Sequence, residues 1–205
     1  MRLSAENLSL ERGGRRLFAG LSFTAGAGEA LVVTGPNGAG KSSLLRAIAG
    51  FLPLGEGRVT FEGGELEECV HYLGHADALK SALTAAENLS FWAALLGGTR
   101  GLVAPALARL GLPHVADFPV RALSAGQKRR VALARLLVAP RPLWLLDEPT
   151  TALDVSAQAL FADVMREHLA QGGIIVAATH APLGLAATRE IRLEGARQIA
   201  FGDLA

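Results

Sequence analysis

One stretch of the chain, residues 35–42, carries the clearest chemical pattern. It reads Gly-Pro-Asn-Gly-Ala-Gly-Lys-Ser, fits G-x-x-x-x-G-K-[ST], and lies between the apolar run Leu31 to Thr34 and the helical sequence Ser43 to Ala49. Glycines let successive backbone N–H groups converge on anionic oxygens at a helix N-terminus. Lys41 adds a charge for the β- and γ-phosphates of a nucleotide, and the Ser42 hydroxyl can ligate magnesium. The predicted nucleotide contacts here are Gly35, Pro36, Asn37, Gly38, Ala39, Gly40, Lys41, Ser42 and Ser43.

Two adjacent acids supply the second part of the predicted chemistry. Asp147 and Glu148 follow the run Pro142 to Leu146, which is typical of a buried strand. Open parallel sheets bind ligands at the carboxyl ends of their strands, where both acids would emerge. We assign Asp147 to magnesium, directly or through water, and Glu148 as the base that orients and polarises an attacking water. Together the two motifs predict a nucleotide hydrolase that uses Mg²⁺.

The segment Leu123 to Gln127 opens a helix and allows two interpretations. Ser124 and Gln127 have the spacing of a capping box, which satisfies a helix N-terminus by itself. The same exposed amides, beside Gly126, also make a site for an anion. Sequence periodicity does not choose between the two, and both can hold at once.

The elements that must position these residues follow an α/β pattern. Apolar runs at Leu31 to Thr34, Leu143 to Leu146 and Ile174 to Ala177 predict buried strands, each followed by helical sequence. Near the C-terminus, the alternation from Glu190 to Phe201 predicts an edge hairpin.

A helical insertion interrupts this pattern. Residues 79–128 contain no convincing strand, and amphipathic sequence at 85–96 and 103–110 predicts helices. We therefore predict a single domain over residues 1–205, with a nucleotide-binding core at 1–78 and 129–205 and the insertion at 79–128.

Composition limits the class of protein further. The 205 residues (21.3 kDa) suffice for one sizeable core, and a mean hydropathy of +0.32 indicates apolar surface that meets a partner. A net charge of +1 does not indicate a nucleic-acid partner, and we interpret the run Lys128 to Arg130 as a solvated helix face. No run of roughly eighteen apolar residues is present, and Met1 to Arg16 lacks the apolar core of a signal peptide, which predicts a cytoplasmic protein.

Five motifs in order extend the interpretation to the whole chain. Gly35 to Ser42, Leu123 to Gln127, Leu145 to Pro149, Thr151 to Asp154 and Thr179-His180 together resemble the motif set of ATP-binding cassette (ABC) proteins. The resemblance implies a P-loop NTPase with a RecA-like α/β core, an N-terminal antiparallel β subdomain and a helical insertion. It also implies ATP and Mg²⁺ as cofactors.

Members of that family bind ATP between two cassettes, which implies a head-to-tail homodimer of this chain on ATP. Ser124, Gly126 and Gln127 would then contact the γ-phosphate of ATP held by the opposite copy. Asp154 would communicate between the two sites, and the alternative role for Asp154 is an N-cap for a helix from Val155 to Leu169.

The resemblance also adds a third catalytic residue. Lys41 and Glu148 would be joined by His180, which follows the predicted strand Ile174 to Ala178. His180 would contact the γ-phosphate and hold the geometry of the attacking water. A purely structural histidine is the alternative.

Two positions depart from the family pattern. The first position is found by counting back from the pair Glu87-Asn88. There His75 replaces the glutamine that in most cassettes senses the γ-phosphate and magnesium. Unlike glutamine, a histidine can also protonate near neutral pH. This gives the hypothesis that coupling to a partner is weakly pH-sensitive.

Arg12 stands where many cassettes stack an aromatic ring on adenine, and its guanidinium plane can stack in the same way. The alternative for Arg12 is an exposed arginine in the turn at Gly13-Gly14.

Several further runs narrow the resemblance. Tyr72 to His75, Leu83 to Leu89, Phe91-Trp92 and Leu143 to Leu146 are similar to the ATP-binding subunits of haem exporter complexes of bacterial cytochrome c maturation. This implies a peripheral subunit on the cytoplasmic side of the inner membrane, working with separate integral membrane subunits. Its ATP hydrolysis would be coupled to haem export or to release of a haem chaperone. The alternatives are an ABC ATPase for another small substrate and a soluble regulatory ABC ATPase.

Partner contacts are expected on the insertion. Phe91 and Trp92 are candidates for that surface, and the alternative is that they form the insertion's own core. We expect no direct binding of haem, because Cys69 precedes Val70 and a Cys-Pro haem motif is therefore absent.

Overall fold

A computed structural model describes residues 1–186 and 189–194 of the chain. Its strands are β1 (Arg2–Arg12), β2 (Arg15–Gly26), β3 (Ala30–Thr34), β4 (Glu56–Phe61), β5 (Val70–Leu73), β6 (Leu143–Asp147), β7 (Ile174–Ala178) and β8 (Arg189–Arg192). Its α-helices are α1 (Lys41–Ile48), α2 (Leu66–Cys69), α3 (Ala85–Leu95), α4 (Val103–Arg109), α5 (Ala125–Val138) and α6 (Val155–Ala170). Of the predicted hairpin at Glu190 to Phe201, residues 195–201 lie outside the described part.

The strands form two sheets. One has three antiparallel strands in the order β2-β1-β4, and the other has five strands in the order β5-β6-β7-β3-β8. Every pairing in the five-stranded sheet is parallel. The predicted α/β fold with an N-terminal antiparallel part is therefore confirmed.

Strands β6 and β7 are buried along their whole length, because packed layers cover both faces of the parallel sheet. Successive side chains of a strand point to opposite faces. Leu145 and Val176 accordingly join a cluster with β1, β3 and α1, whereas Leu146 and Ala177 join a cluster with α3, α4, α5 and α6. The sheet thus divides the core into two layers, and the carboxyl ends of its strands form one edge.

The region between β5 and β6 is helical. Helix α3 begins with a capping box between Thr84 and Glu87, and α3 and α4 pack against α5. Helix α5 begins at Ala125 and so crosses the predicted boundary at residue 128. The helical character is confirmed, and the boundary itself stays a prediction.

Candidate functional site

The loop between β3 and α1 is shaped by glycines in the left-handed region. Gly35, Gly38 and Gly40 have φ angles of 135°, 79° and 103°. A β-carbon at Gly35 would collide with the carbonyl oxygen of Leu193, so no side chain fits there. Gly40 is the N-cap of α1 and offers no side chain to cap it, which leaves the first amides of the helix for an anion.

Lys41 is buried at the start of α1. Its Nζ donates hydrogen bonds to the carbonyl oxygens of Gly35 at 2.8 Å and of Pro36 at 3.1 Å. The ammonium group therefore lies across the loop, beside the uncapped helix N-terminus. A phosphate bound there would meet both the amides and this charge.

The Ser42 hydroxyl and the Asp147 carboxylate face each other. Ser42 Oγ donates to Asp147 Oδ1 at 2.9 Å, and Asp147 is buried at the end of β6. A hydroxyl and a carboxylate are the hard oxygen ligands that suit Mg²⁺. Within residues 1–186 and 189–194, no group of three or more His, Cys, Asp or Glu side chains could hold a metal. A magnesium ion at this pair would therefore need phosphate oxygens and water for its remaining ligands.

Glu148 has an unusual backbone conformation for an acid. Its φ is 47°, a left-handed value that costs a residue with a β-carbon about 1–2 kcal/mol. Its N–H donates to the carbonyl of Ala178 at 2.8 Å, and its carboxylate accepts a hydrogen bond from Thr179 Oγ1 at 3.2 Å. His180 Nε2 lies 4.0 Å from the same carboxylate. The ends of β6 and β7 thus hold a carboxylate beside a histidine.

The loop, Lys41, Ser42 and both acids line one cavity of about 370 Å³, whereas His180 is not among its lining residues. Its lining residues are Arg12, Leu17, Asn37, Gly38, Gly40, Lys41, Ser42, Ser43, Asp147 and Glu148. The structure therefore brings Arg12, at the end of β1, to the same cavity as the loop and both acids.

Other predicted site residues lie elsewhere. His75 lines a second cavity of about 440 Å³ together with Tyr72, Trp92 and Arg135. Ser124 and Gln127 form the capping box of α5, with Gln127 N–H donating to Ser124 Oγ at 3.2 Å and Ser124 N–H donating to Gln127 Oε1 at 2.9 Å. None of these three lines the loop cavity.

The N-cap interpretation of Asp154 is also observed. Its carboxylate accepts hydrogen bonds from the Ala157 N–H and the Ser156 hydroxyl, each at 2.7 Å. The hydrogen bond from the Ala157 backbone N–H, and then the one from the Ser156 hydroxyl, holds the pKa of Asp154 below its usual value. A β-carbon on Gly126 would lie 3.0 Å from the carbonyl oxygen of Ala152, so the start of α5 packs against the turn before Asp154.

Comparison with known proteins decides the family. The sequence profile described as ABC transporter matches residues 18–151, which include the phosphate loop, Ser124 to Gln127 and both acids. This chain belongs to the ABC transporter family. It is therefore an ATP-binding and ATP-hydrolysing enzyme, as the motif set implied.

Two curated relatives are similar to this chain over nearly its whole length, and one solved structure shares its fold. The relative from Nitrobacter winogradskyi, named cytochrome c biogenesis ATP-binding export protein CcmA, is 58% identical and covers 96% of this chain and 100% of its own length. The protein of the same name from Chelativorans sp. is 56% identical over 94% of this chain and 98% of its own. A structure of the ATP-binding subunit of an ABC transporter superposes with a TM-score of 0.85 at 24% identity, covering 95% of this chain and 86% of that one.

One interpretation of the basic run in this ABC ATPase was wrong. Lys128 to Arg130 was predicted to be a solvated helix face, but Arg129 is only 3% exposed. Arg129 shares its helical phase with Ala132, Leu133 and Leu136, which are all buried. That phase was the signal in the sequence that could have revealed it.

The two aromatic residues on α3 of this ABC ATPase differ in their surroundings. Phe91 is 42% exposed, so a place in the insertion's core is wrong for it. Trp92 is half-buried, donates from Nε1 to the carbonyl of Ala78 at 3.3 Å, and lies 4.4 Å under the guanidinium of Arg135. Burial, together with the charge of Arg129, lowers the pKa of Arg135 to about 10.

Among the helices that the structure describes, none has both the length and the apolar character needed to cross a membrane.

Proposed function

We propose that this chain is the ATP-hydrolysing subunit of an ABC complex that acts in cytochrome c maturation, in haem export or release of a haem chaperone. The observation that carries the proposal is the 58% identity, over 96% of this chain, to a protein named for cytochrome c biogenesis and export. The site geometry supports the chemical part, since phosphate-binding and acidic groups share one cavity.

In the proposed reaction, the loop amides and Lys41 bind the β- and γ-phosphates of ATP. Ser42 and Asp147 hold Mg²⁺, which when bound neutralises charge on the phosphate oxygens. Arg12, exposed at the end of β1, stacks on the adenine. The side chains of Lys41, Ser42, Asp147 and Arg12 all line the same cavity, which supports these roles.

Glu148 is the proposed base for the attacking water. Its carboxylate is held at one side by Thr179 and lies near His180, which would contact the γ-phosphate. Because the water, the carboxylate and the imidazole would then be fixed in one geometry, positioning and proton acceptance would add to the charge stabilisation supplied by Lys41 and Mg²⁺.

The proposed active unit is a head-to-tail homodimer formed on ATP. Ser124 is exposed at the N-terminus of α5, away from the chain's own loop cavity, and Asp154 is exposed nearby. Ser124, Gly126 and Gln127 would contact the γ-phosphate in the second copy, with the helix N-terminus adding favourable charge. The capping box and this contact are compatible, because the box uses only some of the amides.

The proposed cellular setting is the cytoplasmic side of the inner membrane, with separate integral membrane subunits. Exposed Phe91 and the cavity at His75 support a docking role for this side of the molecule. Haem itself would be handled by the partner subunits.

A Glu148→Gln variant tests both levels of the proposal. It should bind MgATP, accumulate as a dimer in size-exclusion chromatography, and hydrolyse ATP about a hundredfold or more slowly. Glu167→Gln, on the exposed face of α6, is the matched control and should behave as the parent.

In cells, the same variant should abolish holocytochrome c, measured by haem staining. Parental hydrolysis by Glu148→Gln would remove Glu148 as the base. If hydrolysis were lost while holocytochrome c stayed normal, Glu148 would be supported as the base. The role of the chain in cytochrome c maturation would then be refuted.

A further inference from the structure

The guanidinium of Arg129 is buried against the backbone of residues 147–149, the catalytic turn that carries Glu148. Its contacts are Nε to the Pro149 carbonyl at 3.3 Å, Nη1 to the Gly74 carbonyl and Asp77 Oδ1 at 3.1 Å each, and Nη2 to the carbonyls of Asp147 at 3.0 Å and Glu148 at 2.8 Å. These five acceptors equal the five N–H donors of an arginine. The side chain is therefore fully used, which is what a buried charge requires.

On one side, Arg129 binds the three consecutive carbonyls of the turn that presents the Glu148 carboxylate. That turn is strained, because Glu148 has a φ of 47°. A left-handed residue points its carbonyl away from the strand ladder, where it needs another donor. Arg129 donates to the Glu148 carbonyl at 2.8 Å, beside a longer hydrogen bond from the Thr151 N–H at 3.3 Å. A buried carbonyl left without any donor would cost about 1–3 kcal/mol.

On its other side, Arg129 binds the segment Gly74–Asp77, which follows β5. Asp77 forms an ion pair with Arg129 across 3.1 Å, and His75 of the same segment lines the 440 Å³ cavity. One rigid planar group thus joins the wall of that cavity to the backbone of the catalytic turn. A lysine cannot make this link, because it lacks the planar fork of donors.

We propose that Arg129 is a positioning residue that holds Glu148 in its catalytic backbone conformation and makes this conformation depend on the segment Gly74–Asp77. The inference rests on the proposed function, in which Glu148 is the base. Movement of the segment would remove the Gly74 carbonyl and the Asp77 carboxylate as acceptors of the guanidinium. The three hydrogen bonds to the turn would then no longer fix the orientation of the guanidinium. The backbone at Glu148 would relax as a result.

The test is steady-state and single-turnover ATP hydrolysis by the purified full chain. Arg129→Lys keeps the charge and loses the fork, so kcat should fall about ten- to a hundredfold while KM for ATP changes less than about threefold. Asp77→Asn keeps the shape and removes the charge, and kcat should fall by a smaller factor. Arg166→Lys, in an exposed ion pair on α6, is the matched control.

Combined variants separate positioning from simple structural damage. In the Glu148→Gln background, Arg129→Lys should cause no further loss of the residual rate, because the group that it positions is gone. Asp77→Asn should likewise add little to Arg129→Lys. Thermal unfolding checks that each variant is folded.

Two outcomes would overturn the inference: a kcat for Arg129→Lys within twofold of the parent, or a loss of equal size with and without Glu148. A Glu148→Gln variant that hydrolyses ATP normally would instead refute the proposed function, so the two failures are distinguishable.

Discussion

Around the nucleotide cavity, the positions without side chains are as constrained as the charged ones. Gly35 lies against the Leu193 carbonyl, and Gly40 leaves α1 uncapped. Close approach of backbone to backbone sets the curve of the loop, and the curve sets where Lys41 and Ser42 point. The proposed binding of nucleotide therefore depends on Gly35 and Gly40 as much as on Lys41 and Ser42.

Substitution of Gly35 by alanine should damage both the fold and nucleotide binding. The new β-carbon meets the Leu193 carbonyl at a positive φ, so we expect the free energy of unfolding to fall by about 2 kcal/mol or more and ATP affinity to fall at least tenfold. Gly101→Ala is the control, because no atom lies within 4 Å of its added carbon and its φ is not positive. Chemical denaturation and nucleotide titration measure the two effects. An unchanged Gly35→Ala protein would contradict the observed loop conformation.

Removal of the Arg12 side chain should weaken ATP binding modestly. Stacking of an exposed guanidinium contributes about 0.5–1 kcal/mol, so Arg12→Ala should raise Kd two- to fivefold with little change in kcat. Arg16→Ala, which removes an exposed arginine paired with Glu11 outside the cavity, is the control. Equal affinities for ATP in Arg12→Ala and the parent would exclude Arg12 from the site.

The predicted ligand residues lie together as the sequence indicated, whereas the buried arginine behind Glu148 was not expected. Lys41, Ser42, Asp147 and Glu148 share a cavity, as the motif predicted from chemistry alone. Arg129 was misassigned, because a charged run looks solvated until the phase of its helix is considered. Its five partners come from two distant segments, and no local pattern encodes such contacts.

At the scale of elements, helix starts were more predictable than the N-terminal strands. The caps at Ser124 and Asp154 depend on side chains within one turn, and both are present. Strands β3, β6 and β7 match their predicted runs to within a residue. Strands β1 and β2 were implied only by the family resemblance, because register shifts in their pairing and the positive φ of Asn7 break the alternation of side chains.

The capping box of α3 gives a prediction about the insertion. Thr84 Oγ1 accepts from the Glu87 N–H at 3.1 Å, so Thr84→Ala should lower the free energy of unfolding by about 1 kcal/mol. Thr99→Ala is the matched control, because Thr99 precedes a short 3-10 helix without a side-chain cap. Urea denaturation compares the variants, and equal stability would show that the box contributes nothing. ATP affinity should stay unchanged in both, since neither residue lines the loop cavity.

For the whole molecule, the two-layered core contains titratable groups with no role in catalysis. His71 is buried on β5, with Nε2 bonded to the Ala139 carbonyl, and His168 on α6 stacks on Trp144. Burial lowers the pKa of His71 to about 3, with the charges of Arg135 and Arg141 adding to the effect, and burial lowers that of His168 to about 4. Both are neutral in the folded protein at neutral pH.

These shifts predict a loss of stability in mild acid. Below a pH of about 6.5 the unfolded chain binds protons that the folded chain does not, so the free energy of unfolding falls as pH decreases until the folded pKa values are reached. For His71 alone the loss between pH 7.5 and 5 is about 2 kcal/mol. His71→Gln should remove this part of the pH dependence, whereas substitution of exposed His114 should not. If the free energy of unfolding, measured by urea denaturation, depended on pH equally in His71→Gln and the parent, His71 would not be the source of the acid destabilisation.

The left-handed backbone of Glu148 has a consequence for the history of this fold. An acid stands there against its own conformational preference, and its proposed role in hydrolysis gives a reason for keeping it. If that role were lost, position 148 would drift toward glycine or asparagine, which are at ease with a φ of 47°. Among descendants of such a chain, a glycine or asparagine at this one position would mark those that still dock to partners but have become catalytically silent.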